Sequence, residues 1–256
     1  MTDPTQRFTG RVESYVKYRP SYPRVVLDLL AAECNLTSGS VVADVGSGTG
    51  ILSSLFLENG NRVFGVEPNP EMRAAAEELL GGHSRFESVA GTAEATTLDD
   101  DSVDFVTAGQ ALHWFELAGA RAEFTRILRP GGWVMFVWNT HRKDATPFQA
   151  AYEKLLLAHG TDYTEVGRHE GGARMVQDFF GSDTFQTRTF DNRQTFDLDG
   201  LKGRLSSASY VPGPDQRGHE AMMREAERTF GAHETDGKVT FEYDTKVYYG
   251  RFRAKG

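Results

Sequence analysis

The chain has 256 residues, a hydrophobic fraction of 39%, 27 glycines and a net charge of −8. That length and apolar content suit one large α/β domain with a modest cap, and they exclude a disordered chain. The acidic balance argues against nucleic acid as a partner, a local basic patch apart, and against anionic membrane. The single cysteine, Cys34, rules out an intramolecular disulfide.

The first 20 residues are polar and lack the apolar centre of a signal peptide, and no apolar run approaches the roughly 20 residues that span a bilayer. The expectation is a cytoplasmic protein without stable membrane insertion. In chain order, residues 1–35 read as largely helical, with Val25, Val26, Leu29 and Leu30 on one face. Ser40–Val45 is a β-branched strand, and Ile51, Leu52, Leu55 and Phe56 share a helical face. Arg62–Glu67 is a second strand. Asn69 then caps a helix with Pro70 at its first position, running to Leu80 and stopping at Gly81-Gly82. Phe86–Ala90 and Val103–Ala108 are further strands, Leu117–Leu128 a helix, and Trp133–Trp138 an all-apolar fifth strand. Residues 146–160 form an amphipathic helix. Phe185–Phe196 and Val239–Phe252 are two long strands flanking a helical insertion with a polar helix near Glu220–Phe230. The alternation predicts a three-layer α/β/α Rossmann-like fold. Its seven-stranded sheet is mostly parallel, with an antiparallel last pair and a helical lid.

The central motif is Val41-Val42-Ala43-Asp44-Val45-Gly46-Ser47-Gly48-Thr49-Gly50, where a strand hands over to a helix. Its glycines permit a tight turn and close approach of a ligand to the backbone. A dinucleotide turn reads G-x-G-x-x-G; here the spacing is G-x-G-x-G, with Ile51 in the third glycine's place. Asp44 beside the turn repels a pyrophosphate and favours an ammonium and a sulfonium. Glu67, ending the second strand, can accept both hydroxyls of a ribose. Adenosine ribose with a cationic amino-acid tail describes S-adenosyl-L-methionine (SAM), and disfavours a nicotinamide cofactor.

On these residues the chain resembles the class I SAM-dependent methyltransferases of the type 11 family, over residues 40–138. Gly91-Thr92-Ala93-Glu94 is similar to the family's G-D-A-E loop against the adenine, with Thr92 where Asp is usual. Asp104-Phe105-Val106 resembles the fourth strand, and Leu128-Arg129-Pro130-Gly131-Gly132 the turn before the fifth. Phe8 through Pro23, with Tyr18-Arg19-Pro20-Ser21-Tyr22-Pro23, and Gln110-Ala111-Leu112-His113-Trp114-Phe115 are similar to a subgroup that includes trans-aconitate methyltransferase-like proteins. So is the insertion Gly200-Leu201-Lys202-Gly203-Arg204 with Ser206 to Tyr210.

The resemblance implies a single methyltransferase domain over 1–256, with a SAM-binding half at 36–140. Segments 1–35, 141–184 and 198–237 would cap the pocket. It implies cofactor contacts from Asp44, Gly46, Ser47, Gly48, Thr49, Gly50, Glu67, Pro68, Met72, Thr92, Ala93, Glu94, Gln110, Ala111, Trp114 and Tyr22, with S-adenosylhomocysteine as product. Ligands in open α/β sheets bind beyond the carboxyl ends of strands. There His113 either orients substrate, acts as a base or bonds within the cofactor wall, and Trp114 and Phe115 cover the cofactor or pack in the core. Tyr18 and Tyr22 can flank a sulfonium. Arg19 either grips a carboxylate bidentately or makes a surface ion pair. Tyr18, Arg19 and His113 are the catalytic candidates; Arg142, Arg174 and Arg204 are looser ones. The seven histidines lack ligand spacing, so no metal is expected.

The expected reaction is transfer to a small organic molecule, at oxygen of a carboxylate or hydroxyl. C-methylation of a quinone or lipid-like acceptor and a non-catalytic SAM-binding protein are the alternatives.

Overall fold

The computed structural model describes residues 16–161, 163, 172–181, 184–208 and 210–252. Its strands are β1 (Val41–Val45), β2 (Arg62–Val66), β3 (Phe86–Val89), β4 (Val103–Gly109), β5 (Leu128–His141), β6 (Phe185–Phe196) and β7 (Val239–Gly250). They form one sheet in the order β3-β2-β1-β4-β5-β7-β6. β1 to β5 pair in parallel, while β7 runs antiparallel between β5 and β6. The chain therefore enters at β1, turns outward to β3, and reverses direction at β4, the switch point where open sheets bind ligands.

The helices are α1 (Val25–Cys34), α2 (Ile51–Glu58), α3 (Pro70–Leu80), α4 (Leu117–Ile127), α5 (Pro147–His159), α6 (Ala173–Phe180), α7 (Leu198–Ser206) and α8 (His219–His233). Strand alternation builds two cores. On β5, Val134, Phe136 and Trp138 face α4 and α6, whereas Met135 and Val137 face α1 and α2. A third core lies off the sheet. Phe148, Tyr152 and Leu155 of α5 pack with Leu201 and Leu205 of α7, Met222 of α8, and Phe241 and Tyr243 of β7. This is the cap.

Helix starts follow their local chemistry. The Asn69 side chain accepts from the amides of Glu71 and Met72 at 2.9 and 3.0 Å. The Thr146 hydroxyl accepts from Gln149 N at 3.1 Å, with Pro147 following as the first helical residue.

The sequence expectations differ from the structure in three places. Val25 is 36% exposed, because the stripe of α1 centres on Val26 and Leu30 and leaves Val25 about 100° away. The fifth strand begins at Leu128 rather than Trp133, because Leu128 already pairs with Val103 of β4. Segment 141–184 is not wholly cap, since Val176, Phe179 and Phe180 of α6 join the sheet core beside α4. Val176, Phe179 and Phe180 make one apolar face of α6, and Phe179 packs it against Phe124 and Phe136, at 5.6 and 4.9 Å between ring centres. Residues 8–15, which open the subgroup resemblance, lie outside the described residues.

Candidate cofactor and acceptor site

The turn after β1 is held by β2, because the amides of Gly46 and Ser47 both donate to the Val66 carbonyl, at 2.8 and 3.1 Å. Gly46, Gly48 and Gly50 have φ of +68°, +57° and +85°, the region that favours glycine. Their surroundings differ. A Cβ on Gly46 would fall 2.7 Å from Ala111 Cβ, and one on Gly50 2.4 Å from Leu80 Cδ1. A Cβ on Gly48 would meet nothing within 4 Å. Gly46 and Gly50 are therefore packed positions, while Gly48 faces a hollow lined by Tyr22, Asp44, Ser47, Thr49 and Gly109.

Two acids serve this hollow. Asp44 has no exposed surface; its Oδ2 accepts from Ser53 Oγ at 2.6 Å, and its Oδ1 makes no hydrogen bond. Burial pushes its carboxyl up to about 7, against the bonds from Ser53 that favour the charged form. A cation placed there would restore the charge. The Thr49 hydroxyl is likewise buried without a partner. Glu67 is 8% exposed, its Oε2 accepting from Gly48 N and its Oε1 from Asn69 N, both at 2.9 Å. Burial raises its pKa, with these amides acting the other way. Each oxygen keeps a free lone pair, the arrangement a diol needs. Arg73 fixes the strand end by donating to the carbonyls of Glu67 and Pro68 at 2.8 and 2.9 Å. Met72 is buried at the start of α3, 4% exposed, and Pro68 is half-buried.

The end of β4 closes the other side. A Cβ on Gly109 would lie 2.6 Å from the Tyr22 hydroxyl, so Tyr22 sits directly on that strand end. Gln110 follows at φ +56°, a strained conformation for a side-chain-bearing residue and one that clusters at ligand sites. Its Nε2 donates to the Asn139 carbonyl at 3.2 Å. Leu112–Trp114 is a single 3-10 turn in which the His113 and Trp114 rings lie 4.5 Å apart. Trp114 is 38% exposed, which fits a surface flank rather than core packing. In the 92–96 loop, Ala93 is buried and Thr92 exposed. Glu94 Oε1 accepts from Glu116 N at 2.8 Å, so it ties the loop to the start of α4.

The segment 18–22 spans from this hollow to the cap. Tyr18 packs its ring against Gly203 of α7, where a Cβ would be 2.1 Å away. Arg19 Nη2 donates to the Ser207 carbonyl at 2.9 Å. Tyr18 and Arg19 are thus brought to the cap, while Tyr22 alone of this segment lines the hollow. Asn139 secures the crossing, with Nδ2 donating to the Ser21 carbonyl at 3.2 Å and Oδ1 accepting from Thr245 Oγ1 at 2.6 Å. Sequence reasoning missed Asn139, although a polar residue ending an apolar strand was the available signal. Of the looser arginines, Arg142 pairs with Asp191, Glu242 and Asp244, Arg174 is exposed, and Arg204 is buried in the cap. No group of three or more His, Cys, Asp or Glu among the described residues could hold a metal.

The family described as "Methyltransferase domain" matches residues 43–136, which contain the turn, both acids and the end of β4. A methyltransferase of Mycobacterium tuberculosis, itself uncharacterized, is 40% identical over 142 residues, covering 54% of each chain. The chain thus spans about half the length of that relative. An uncharacterized methyltransferase of a Geobacillus species is 33% identical over 152 residues, covering 58% of this chain and 68% of that one. A candidate type II methyltransferase from Anaeromyxobacter dehalogenans has the same fold, with a TM-score of 0.66 at 23% identity over 91% of this chain and 98% of that one. A SAM-dependent methyltransferase from Geobacter sulfurreducens, solved with S-adenosyl-L-homocysteine, aligns at a TM-score of 0.50 and 20% identity over 99% of this chain and all of that one. The chain belongs to the methyltransferase family.

Proposed function

We propose that the protein transfers a methyl group from SAM to oxygen, of a carboxylate or hydroxyl, on a small organic acceptor. The observation that carries the SAM part of this reading is the hollow at Gly48, flanked by an unbonded buried carboxylate oxygen on Asp44 and the doubly anchored carboxylate of Glu67. Glu67 would hold the ribose, Asp44 the cationic amino-acid end, and Tyr22 the wall beside the methyl. Ala93 and Met72, both buried, suit the apolar faces of adenine. Thr92, exposed, and Glu94, engaged with Glu116, would reach only its edge.

SAM supplies an electrophilic methyl; its C–S bond breaks as the C–O bond forms, and sulfur leaves as a thioether with the electron pair. The chain's own share is to orient the acceptor oxygen, exclude water and hold reacting atoms near 3–3.5 Å. An ionised carboxylate needs no base, whereas a hydroxyl would pass its proton to His113. The motifs at Tyr18–Pro23 and Gln110–Phe115 support the trans-aconitate methyltransferase-like subgroup, and the net charge of −8 supports a small-molecule partner over nucleic acid. No helix among the described residues is long and apolar enough to cross a membrane. We read 1–256 as one catalytic unit in the cytoplasm.

The test is a thermal-shift titration with SAM, S-adenosylhomocysteine and NAD in parallel. A ligand at 100 times its Kd adds about 2.7 kcal/mol of stability. Stabilisation by the two adenosyl ligands alone is expected; no shift with either would remove the cofactor assignment.

A further inference from the structure

The cap core holds a charge that the cofactor hollow does not use. Arg204 of α7 is only 7% exposed, its Nε and Nη1 make no hydrogen bond, and among the described residues it has no ion-pair partner. The Tyr243 hydroxyl lies within bonding reach, and Tyr152 and Tyr210 are close enough to act on the guanidinium's charge. The Tyr152 hydroxyl is also buried and unbonded, and the charge of Arg19, from segment 18–22, acts on it too. The His141 ring, at the end of β5, lies 5.9 Å from that of Tyr152 and 5.8 Å from that of Tyr243. Burial first, then the charges of Arg204 and Lys143, hold its imidazole down to about 3, so it stays neutral.

The cluster is therefore rich in donors, and among the described residues no carboxylate pairs with Arg204. Two partly buried arginines elsewhere are neutralised by acids: Arg126 has Glu123 and Asp100, and Arg142 has three. A guanidinium taken out of water with no counter-charge is costly, and such an exception points to a missing anion. Its planar fork matches a carboxylate bidentately, and a tyrosine hydroxyl adds a third donor. The position is also apt. Arg19 precedes Tyr22, which lines the cofactor hollow, by three residues, at most about 10 Å of chain. Along β5, Val137 pairs with Gly109 at the hollow, and His141 lies about 13 Å further on.

We infer that the Arg204–Tyr152 cluster seats a carboxylate of the acceptor, apart from the oxygen that is methylated. This rests on the proposed methyl transfer. A carboxylate held in this way has its lone pairs engaged, so it anchors the molecule while a second group faces the methyl. The cluster is closed over in this structure, so the acceptor reaches it when the cap parts from segment 18–22, which the Arg19–Ser207 bond now joins.

The experiment uses the full chain saturated with S-adenosylhomocysteine. Succinate, inorganic phosphate and uncharged succinamide are titrated at millimolar levels against wild type, Arg204→Met, Arg204→Lys and Tyr152→Phe, reading melting temperature and calorimetric affinity. Succinate should stabilise wild type saturably and succinamide should not. Arg204→Met should lose at least tenfold in succinate affinity, keep the adenosyl-ligand shift, and melt no lower than wild type without ligand. Arg204→Lys, which keeps the charge without the fork, and Tyr152→Phe should each weaken succinate. A stronger shift with phosphate than with succinate would replace the carboxylate by a phosphate and overturn the assignment. So would equal succinate binding in the arginine variants, or no succinate shift in wild type. If Arg204→Met fails to fold, Arg204→Lys and Tyr152→Phe decide. Loss of the adenosyl-ligand shift in wild type, with succinate binding intact, would instead overturn the cofactor reading alone.

Discussion

Gly48 donates its amide to Glu67 Oε2 at 2.9 Å, so the apex of the glycine turn and the acid ending the next strand are one hydrogen-bonded unit. The bond spends one lone pair of the carboxylate and fixes the direction of the others. Glu67→Ala should therefore lower SAM affinity more than tenfold, about 1.4 kcal/mol or more. Glu67→Gln should also bind weakly, because its amide nitrogen cannot accept from Gly48 or Asn69. Isothermal titration gives both values, and a wild-type constant for Glu67→Ala would dismiss the ribose role.

Asp44 makes the stability of the ligand-free protein pH-dependent. Its folded pKa of about 7 stands above the ordinary 3.8, so the fold binds a proton that the unfolded chain releases. The contribution is fully present below about pH 4 and is lost as pH rises through 7. Asp44→Asn should flatten this decline in melting temperature between pH 4 and 7. It should also cut SAM affinity at neutral pH more than tenfold, since an amide cannot meet the cationic end. A pH profile as steep as wild type's would contradict the assignment.

The turn glycines should separate folding from binding. Gly50→Ala drives a methyl into Leu80 at a φ of +85°, and should cost roughly 2–3 kcal/mol of stability. Gly48→Ala carries only the left-handed penalty, about 1–2 kcal/mol, but places its methyl in the hollow. It should lose proportionally more in SAM affinity than in melting temperature. The reverse ranking would place the ligand elsewhere.

Arg19→Ala should reduce methyl transfer or cofactor affinity more than Arg228→Ala. Arg19 ties segment 18–22 to the cap through the Ser207 carbonyl, while Arg228 is an exposed residue of α8 paired with Glu225 one turn away. Matched kinetics and binding for the two variants would remove the N-terminal segment from the site.

Much of the architecture was legible from residues 40–138, because each strand and helix there has the period and stop signals of its type. Asn69-Pro70 starts α3, and the spacing of Gly46, Gly48 and Gly50 marks the turn. What lay outside that reading came from long-range packing. Nothing local to Ala173–Phe180 says that its phenylalanines go under the sheet rather than into the cap. Arg204 resembles any helical arginine until the cap core buries it and β7 brings the Tyr243 hydroxyl within its reach. Asn139 gains its importance only once Ser21, Gln110 and Thr245 meet there. Such groups are assembled from distant parts of the chain, and one-dimensional spacing carries no trace of them.

β6 and β7 pair residue for residue from Phe185↔Gly250 to Phe196↔Val239, and everything between them in sequence belongs to the cap. The ladder brings the two ends of that insertion together whatever its length, and loop closure grows only slowly with added residues. α7, α8 and their connections can thus be lengthened, shortened or replaced while the sheet and the glycine turn stay as they are. On the proposed reading, that part of the acceptor seat which α7 supplies could change in a lineage while the turn that holds the methyl donor does not.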